Sequence, residues 1–283
     1  VLPIALSLCC LAPALAEDGR FGAMRDEVRS RVDTLLQQMT VTEKVGQLNL
    51  RFLNLDQKIS DDDVRAGKIG GFLYSSDLGY TNYLQELAVR ESRLHIPVLF
   101  GFDVVSGYRT IFPAPIGLTS SWDPGLVERT RMIAAKEARA AGITWAYAPM
   151  VDIARDPRWG RIVEGAGEDP YLGAAMARAQ VLGLQGPSLG TPGRMLACAK
   201  HFAAYGAADG GRDYEGASVP ESVLQNVYFP PFHAAVNAGV GCIMSAYLDL
   251  NDIPATGNRW LLRDVLRKDW GFQGFVTSDA FSL

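Results

Sequence analysis

Residues 195–202 read Met-Leu-Ala-Cys-Ala-Lys-His-Phe, five apolar residues followed by two titratable ones and a Phe. A run this short and this continuously apolar fits a strand buried on both faces, as in a parallel sheet. Similar runs lie on either side of it, at 45–52, 70–75, 97–103, 144–151, 241–247 and 275–278. Helical patterns fill the gaps, at 24–39, 81–93, 125–141, 171–184, 221–238 and 260–268. Within 25–38 the 3.6-residue period is plain, with Val28, Val32, Leu35 and Leu36 apolar and Arg and Asp between them. Start and stop signals agree: Asp123-Pro124 opens one helix and Gly142 ends it, while Val219-Pro220-Glu221 opens the next and Gly239 closes it.

Strands alternating with helices imply parallel strands joined by crossover helices, in a doubly wound sheet or a (β/α)₈ barrel. The early strands are not followed by Gly-x-Gly-x-x-Gly with an acidic residue about 20 positions on, which disfavours a dinucleotide-binding sheet. Long loops at 154–169 and 203–218 suit a barrel whose site is built from loops at the strands' C-terminal ends. The expected fold is α/β, with a TIM-like (β/α)₈ barrel truncated after about seven strands favoured over the doubly wound sheet. No linker, internal repeat or low-complexity stretch interrupts it.

Composition is consistent with this. The 283 residues are 48% hydrophobic and 20% charged, with net charge −4, which is ordinary globular composition. That length suits one barrel of roughly 250 residues or two domains of about 150. The mild acidity and lack of a basic stripe exclude a nucleic-acid binder, whose partner's phosphates need clustered Lys and Arg. After position 20 there is no apolar run of roughly 20 residues, so no membrane span is expected.

The chain opens VLPIALSLCCLAPALA, an apolar region followed by an Ala14-Leu15-Ala16 cleavage signal. Residues 1–16 read as a partial signal peptide, and Pro3 and Pro13 fit poorly with the alternative of a buried helix. This predicts a periplasmic or secreted protein whose residues 17–283 form a barrel domain incomplete at its C-terminus. Cys9 and Cys10 would leave with the leader, which has no lipobox because Leu8 precedes Cys9. Cys198 and Cys242 lie in apolar runs and are expected as buried free thiols, with a bridge between them as the alternative.

Polar residues gather where the strands end: Asp103, Asp152, Lys200-His201, Tyr247 and Asp279, with Arg155, Arg158 and Arg161 on one following loop. In a barrel these ends converge on one rim. Of the six lysines (Lys44, Lys58, Lys68, Lys136, Lys200, Lys268) Lys200 alone sits in an apolar run, where an ammonium needs a charged or polar partner. Neighbouring strand residues point to opposite faces. For Lys200 and His201 both to address the rim, a bulge or a non-proline cis peptide must lie between them. The histidines His95, His201 and His233 are scattered, without metal-ligand spacing, so neither metal nor cofactor is expected. The glycine-rich stretch 205–211 lacks the Lys-Ser/Thr of a phosphate loop and reads as a flexible loop.

Six motifs taken together are more specific. They are RVDTLLQQMTVTEKVGQL (31–48), FGFDVVSGYRTIFPAPIGLTSSWD (100–123), WAYAPMVDIARDPRWGRIVEGAGEDPYL (145–172), KHFAAYG (200–206), SAYLDLNDIPATGN (245–258) and LLRDVLRKDWGFQGFVTSDA (261–280). In this order they resemble glycoside hydrolase family 3, and within it the bacterial periplasmic β-glucosidase branch. The resemblance implies a barrel-like first domain and retaining hydrolysis of terminal β-D-glucosyl residues from oligosaccharides or aryl and alkyl β-glucosides. It implies Asp279 as nucleophile and Asp103, Arg161, Lys200, His201 and Tyr247 as sugar-binding residues. On this reading Arg161, Lys200 and His201 donate to hydroxyls and hold nearby carboxylates ionised by their charge, while Tyr247 orients the nucleophile. Arg155 and Arg158 are expected to shape their loop through ion pairs with Asp152, Asp156 or Glu164. The acid/base Glu of that branch belongs to a second domain, so neither Asp213 nor Glu215 is assigned the role. The loop 202–218 has no His, which disfavours the N-acetylglucosaminidase branch.

Two positions depart from the family pattern. Ser106 stands where His is usual and is expected to leave Asp103 less firmly held; Ala280-Phe281 stands where an aromatic or His and then Gly are usual. Competing readings are a β-xylosidase or broad exo-β-glycosidase on the same scaffold, a Schiff-base aldolase using Lys200, and a catalytically silent sugar-binding remnant. The aldolase leaves Asp103, Arg161 and Asp279 unexplained.

Overall fold

Thr40 and Glu43 have the spacing of a capping box, and they form one in the computed structural model, which describes residues 18–53, 59–75 and 77–282. The Glu43 side chain accepts from the Thr40 N–H at 2.8 Å, and the Glu43 N–H donates to Thr40 Oγ1 at 3.2 Å. Helix α1 (Asp18–Gln38) is thus followed by a short helix α2 (Val41–Gly46), and the strand expected from 45 is cut to β1 (Leu50–Phe52). The leader, Cys9 and Cys10 lie outside the described residues.

The chain then alternates as the sequence implies. Helix α3 (Asp61–Arg65), which no apolar period announced, leads to β2 (Gly71–Leu73). Helix α4 (Leu78–Glu86), extended by a wider turn over Leu87–Glu91, leads to β3 (Leu99–Phe102). Helices α5 (Pro115–Thr119) and α6 (Pro124–Ala140) precede β4 (Trp145–Ala146), and α7 (Pro170–Gln185) precedes β5 (Leu196–Phe202). Helices α8 (Glu221–Val223) and α9 (Pro230–Asn237) come before β6 (Cys242–Ser245). A small hairpin, β7 (Asp249–Leu250) and β8 (Ile253–Pro254), and a helix over Trp260–Asp269 then lead to β9 (Phe275–Thr277). The helix starts are local: Asp123 accepts from the Leu126 N–H and Asp169 from the Leu172 N–H, each just ahead of a Pro at the first helical position.

Among the described residues seven strands form one sheet in the order β1-β2-β3-β4-β5-β6-β9, every pairing parallel, as in seven of the eight strands of a (β/α)₈ barrel. No ladder joins β9 to β1 among the described residues, but Phe281 stacks on Phe52 across that gap at 5.2 Å. Trp145, Tyr147, Cys198, Cys242 and Met244 fill one face of the sheet with Leu50, Leu73, Leu99 and Leu196. The alternate residues Ala146, Ala197, Ala199 and Ile243 pack outward in a larger core with the helices. No described helix is long and apolar enough to cross a membrane.

Several local expectations need correction. The strand read at 144–151 keeps only two ladder residues, because Pro149 has no N–H to pair. Beyond it the chain still runs beside β5, with Lys200 donating to Pro149 O at 3.0 Å and Val151 to Lys200 O at 2.8 Å. The single helix read at 221–238 is divided before Pro230-Pro231, neither of which can donate along the helix. Cys198 and Cys242 are bridged rather than free. They are register partners on adjacent strands with Cα atoms 4.3 Å apart, so their side chains leave the sheet on the same face. The apolar stripe of α1 is not core: Val28, Val32 and Leu36 are 44–53% exposed.

Candidate active site

Strand β5 carries the first two groups. Between Lys200 and Phe202 its pairing with β6 shifts register, and the Lys200-His201 peptide is cis, so both side chains serve the same rim as the sequence conflict required. Lys200 Nζ donates to Asp103 Oδ1 at 2.6 Å, and Tyr74 Oη donates to Asp103 Oδ2 at 2.5 Å. Asp103 follows β3 and Tyr74 follows β2, so three strand ends meet here. Both carboxylate oxygens of Asp103 are thus bonded, by Lys200 and Tyr74, and neither bond involves Ser106.

His201 is enclosed. It is 1% exposed, and Asp152, itself 2% exposed, accepts the His201 backbone N–H at 3.0 Å on Oδ2, the oxygen that also lies 2.8 Å from the ring Nδ1. The other ring nitrogen, Nε2, lies 3.2 Å from Arg161 Nη2 and 3.4 Å from Asp279 Oδ2. Arg161 is held by Glu164 through two bonds of 2.7 and 3.0 Å and lies over the Tyr205 ring. Asp279 takes the N–H of Ala280 at 2.7 Å. The Tyr247 hydroxyl donates to the Ala280 carbonyl at 2.9 Å and also lies within reach of the Asp279 carboxylate. One O–H proton serves one acceptor at a time, so Tyr247 divides between them. Tyr214 packs edge-on against Tyr247 at 5.1 Å.

All six residues singled out in the sequence, Asp103, Arg161, Lys200, His201, Tyr247 and Asp279, therefore fall in one connected cluster. Arg158 pairs with Asp156 as its loop reading required, but Asp152 serves His201 instead of an arginine. Asp213 accepts from the Trp159 indole N–H at 2.9 Å. Tyr74 and Glu164 were missed. Tyr74 carried the same signal as the others, a polar group closing an apolar run, whereas Glu164 sits mid-loop and carried none.

The electrostatics follow from enclosure. Burial pushes Asp279 up from the usual carboxylate value, partly offset by the Ala280 N–H, Tyr247, Lys200 and Arg161. Burial pushes Asp152 up to about 7. Burial, with Lys200 and Arg161 close by, drives His201 well below its usual value, so this imidazole is neutral and not the cation expected. The Arg161 guanidinium stays charged, since its pairing with Glu164 outweighs the burial that opposes it. The fixed positive charges beside Asp279 are therefore Lys200 and Arg161. Among the described residues no three or more His, Cys, Asp or Glu side chains are grouped to hold a metal ion.

The profile described as "Glycosyl hydrolase family 3 N terminal domain" matches residues 40–283. The chain belongs to glycosyl hydrolase family 3. It is 41% identical over 281 residues to a family relative, the "Periplasmic beta-glucosidase" of Salmonella typhimurium, covering 98% of this chain and 36% of that one. A "Putative beta-xylosidase" of Formosa agariphila is 34% identical, with 89% of this chain and 37% of that one covered. The crystal structure of a β-glucosidase from Listeria innocua in complex with glucose superposes with a TM-score of 0.84 at 37% identity, covering 89% of this chain and 38% of that one. The chain thus spans little more than a third of the length of these family 3 proteins.

Proposed function

We propose that this chain supplies the nucleophile-bearing part of a retaining exo-β-glucosidase that removes terminal β-D-glucosyl residues. The observation that carries the reading is the Asp279 carboxylate, partly buried at the sheet's C-terminal rim beside Tyr247, His201 and Arg161. Asp279 attacks the anomeric carbon and the bond to the leaving oxygen breaks. A protonated acid delivers a proton to that oxygen, and a covalent glycosyl–Asp279 ester results. Water, deprotonated by the same acid's conjugate base, then releases the sugar with its original configuration. The acid is proposed to be a Glu of a second domain, in keeping with relatives almost three times as long. Asp103 can take sugar hydroxyls, since each of its oxygens keeps a lone pair beside the Lys200 and Tyr74 bonds. The protein is proposed to be exported, an assignment supported by the leader-like residues 1–16 and by the periplasmic relative.

The xylosidase relative keeps β-xyloside hydrolysis as the second reading. Protein of the relatives' full length should release p-nitrophenol from the β-D-glucoside faster than from the β-D-xyloside. The opposite preference would favour the second reading. A 2-fluoroglucoside should label Asp279, and a label on another carboxylate would overturn the nucleophile assignment. Residues 1–283 alone should turn over either substrate poorly.

A further inference from the structure

One oxygen of Asp152 does two jobs. Oδ2 accepts the backbone N–H of His201 and faces its Nδ1, whereas Oδ1 is buried without a partner among the described residues. Arg161 Nη2 can only donate, so Nε2, 3.2 Å from it, is the acceptor, and the proton in the 2.8 Å contact with Oδ2 belongs to Nδ1. A neutral imidazole carries only one N–H, and Nε2 is then a bare lone pair. That lone pair is where Arg161 Nη2 points, at 3.2 Å. The remaining neighbours are Asp279 at 3.4 Å from Nε2, the adjoining Lys200, and the Tyr205 ring edge-on at 5.1 Å.

The geometry points to Asp152 as a positioning residue that holds His201 as its Nδ1–H tautomer, leaving Nε2 as the acceptor that keeps Arg161 beside Asp279. The other tautomer would set an Nε2–H against the N–H groups of Arg161 and would donate to Asp279 Oδ2. It would displace the guanidinium and occupy a lone pair of the attacking carboxylate. A proton taken up by Asp152 goes to the unpartnered Oδ1 and leaves the Nδ1–H···Oδ2 bond intact, so the tautomer is insensitive to pH. What the tautomer serves, a free and ionised Asp279, rests on the glycosidase reading; the tautomer itself does not.

The chain has three histidines, so ¹⁵N-histidine labelling resolves their ring nitrogens one by one, and His201→Gln identifies the relevant pair. In the unmodified chain His201 should show a protonated Nδ1 and a bare Nε2 from pH 5.5 to 8. A protonated Nε2, or an imidazolium in that range, overturns the proposal without any variant having to fold. Asp152→Asn retains an oxygen for both His201 donors and should keep the pattern. Asp152→Leu removes it, and the proton should spread over both nitrogens while His95 and His233 are unchanged. A folded Asp152→Leu chain with as clean an Nδ1–H pattern as the parent would assign the tautomer to Arg161 and overturn the role of Asp152. In full-length protein Asp152→Leu should lower kcat on the order of 10- to 100-fold, the worth of one charge-assisted hydrogen bond, with a smaller change in KM. A loss confined to KM would also overturn it. Parent protein that cleaves no β-glycoside would strike the functional reading and leave the tautomer result standing.

Discussion

Lys200 and Asp103 are 97 residues apart in sequence, and their charged groups meet at 2.6 Å. The pair is lopsided, because the Lys200 side chain is 6% exposed and that of Asp103 is 37% exposed. Without Asp103 a nearly buried ammonium loses its counter-ion, whereas without Lys200 a carboxylate within reach of water keeps Tyr74. Asp103→Ala should therefore cost about 3–5 kcal/mol, and Lys200→Met no more than about 1–2 kcal/mol. Urea midpoints at constant m-value measure both, and the reverse order would contradict this account of the pair.

Asp279→Asn should remove catalysis by roughly 10³-fold or more in full-length protein, about 4 kcal/mol of barrier, with the fold retained. Attack requires the ionised form, and burial raises this carboxyl. The acid limb of kcat/KM should therefore lie above the free-carboxylate value of about 3.9. A pH–rate profile in the parent protein tests this, and activity undiminished down to pH 4 would refute it.

Stability should vary little between about pH 4.5 and 6.5, because two buried groups oppose each other. With Asp152 raised to about 7, the folded state holds a proton that the unfolded state releases above about 4, so the stability Asp152 contributes falls as pH rises. With His201 lowered, the unfolded state holds a proton below about 6.5 that the folded state lacks, so the stability His201 contributes rises with pH. Each contributes at most about 1.4 kcal/mol per pH unit. At lower pH stability should fall as Glu43 and Asp156, held to about 2 by Arg93 and Arg158 hydrogen bonds, are protonated in the unfolded state first. Denaturant midpoints from pH 3 to 7 measure the profile. A steady rise from pH 4.5 to 6.5 would show that the Asp152 contribution is absent.

Cys198 and Cys242 close a loop of 44 residues between β5 and β6. Replacing both by Ala should cost roughly 2–4 kcal/mol, chiefly by freeing the unfolded chain. Thiol alkylation of denatured protein, with and without reductant, should show both cysteines protected until reduced. Alkylation of Cys198 or Cys242 themselves without reductant, read by peptide mapping, would restore the free-thiol reading.

Gly206 has no room for a side chain, since a Cβ there would lie 2.2 Å from the Ile153 carbonyl oxygen. This contact seats the loop after Lys200-His201 against the loop after β4. Gly206→Ala should cost about 1–3 kcal/mol, readable as a lower melting temperature. An unchanged melting temperature would mean that the two loops can separate freely.

The seven strands could be read in the sequence because a strand buried on both faces must be apolar along its length, and that requirement is local. The Lys200-His201 conflict was legible for the same reason: side-chain alternation forbids two neighbours on one rim, so a break in the strand was required and is present. Residues 45–49 and 221–238 were misread where short-range hydrogen bonding or a Pro pair overrode the apolar pattern. Partnership was not legible at all. Asp152 belongs to His201, 49 residues away, and Cys198 faces Cys242 because of strand register. Neither distance has a trace in local pattern. The residue types and the order of the elements were thus written in the chain as local constraints. Which carboxylate meets which cation, which histidine nitrogen holds the proton and which face is enclosed were settled by strands packing side by side, because those choices depend on desolvation and contact between residues far apart in sequence.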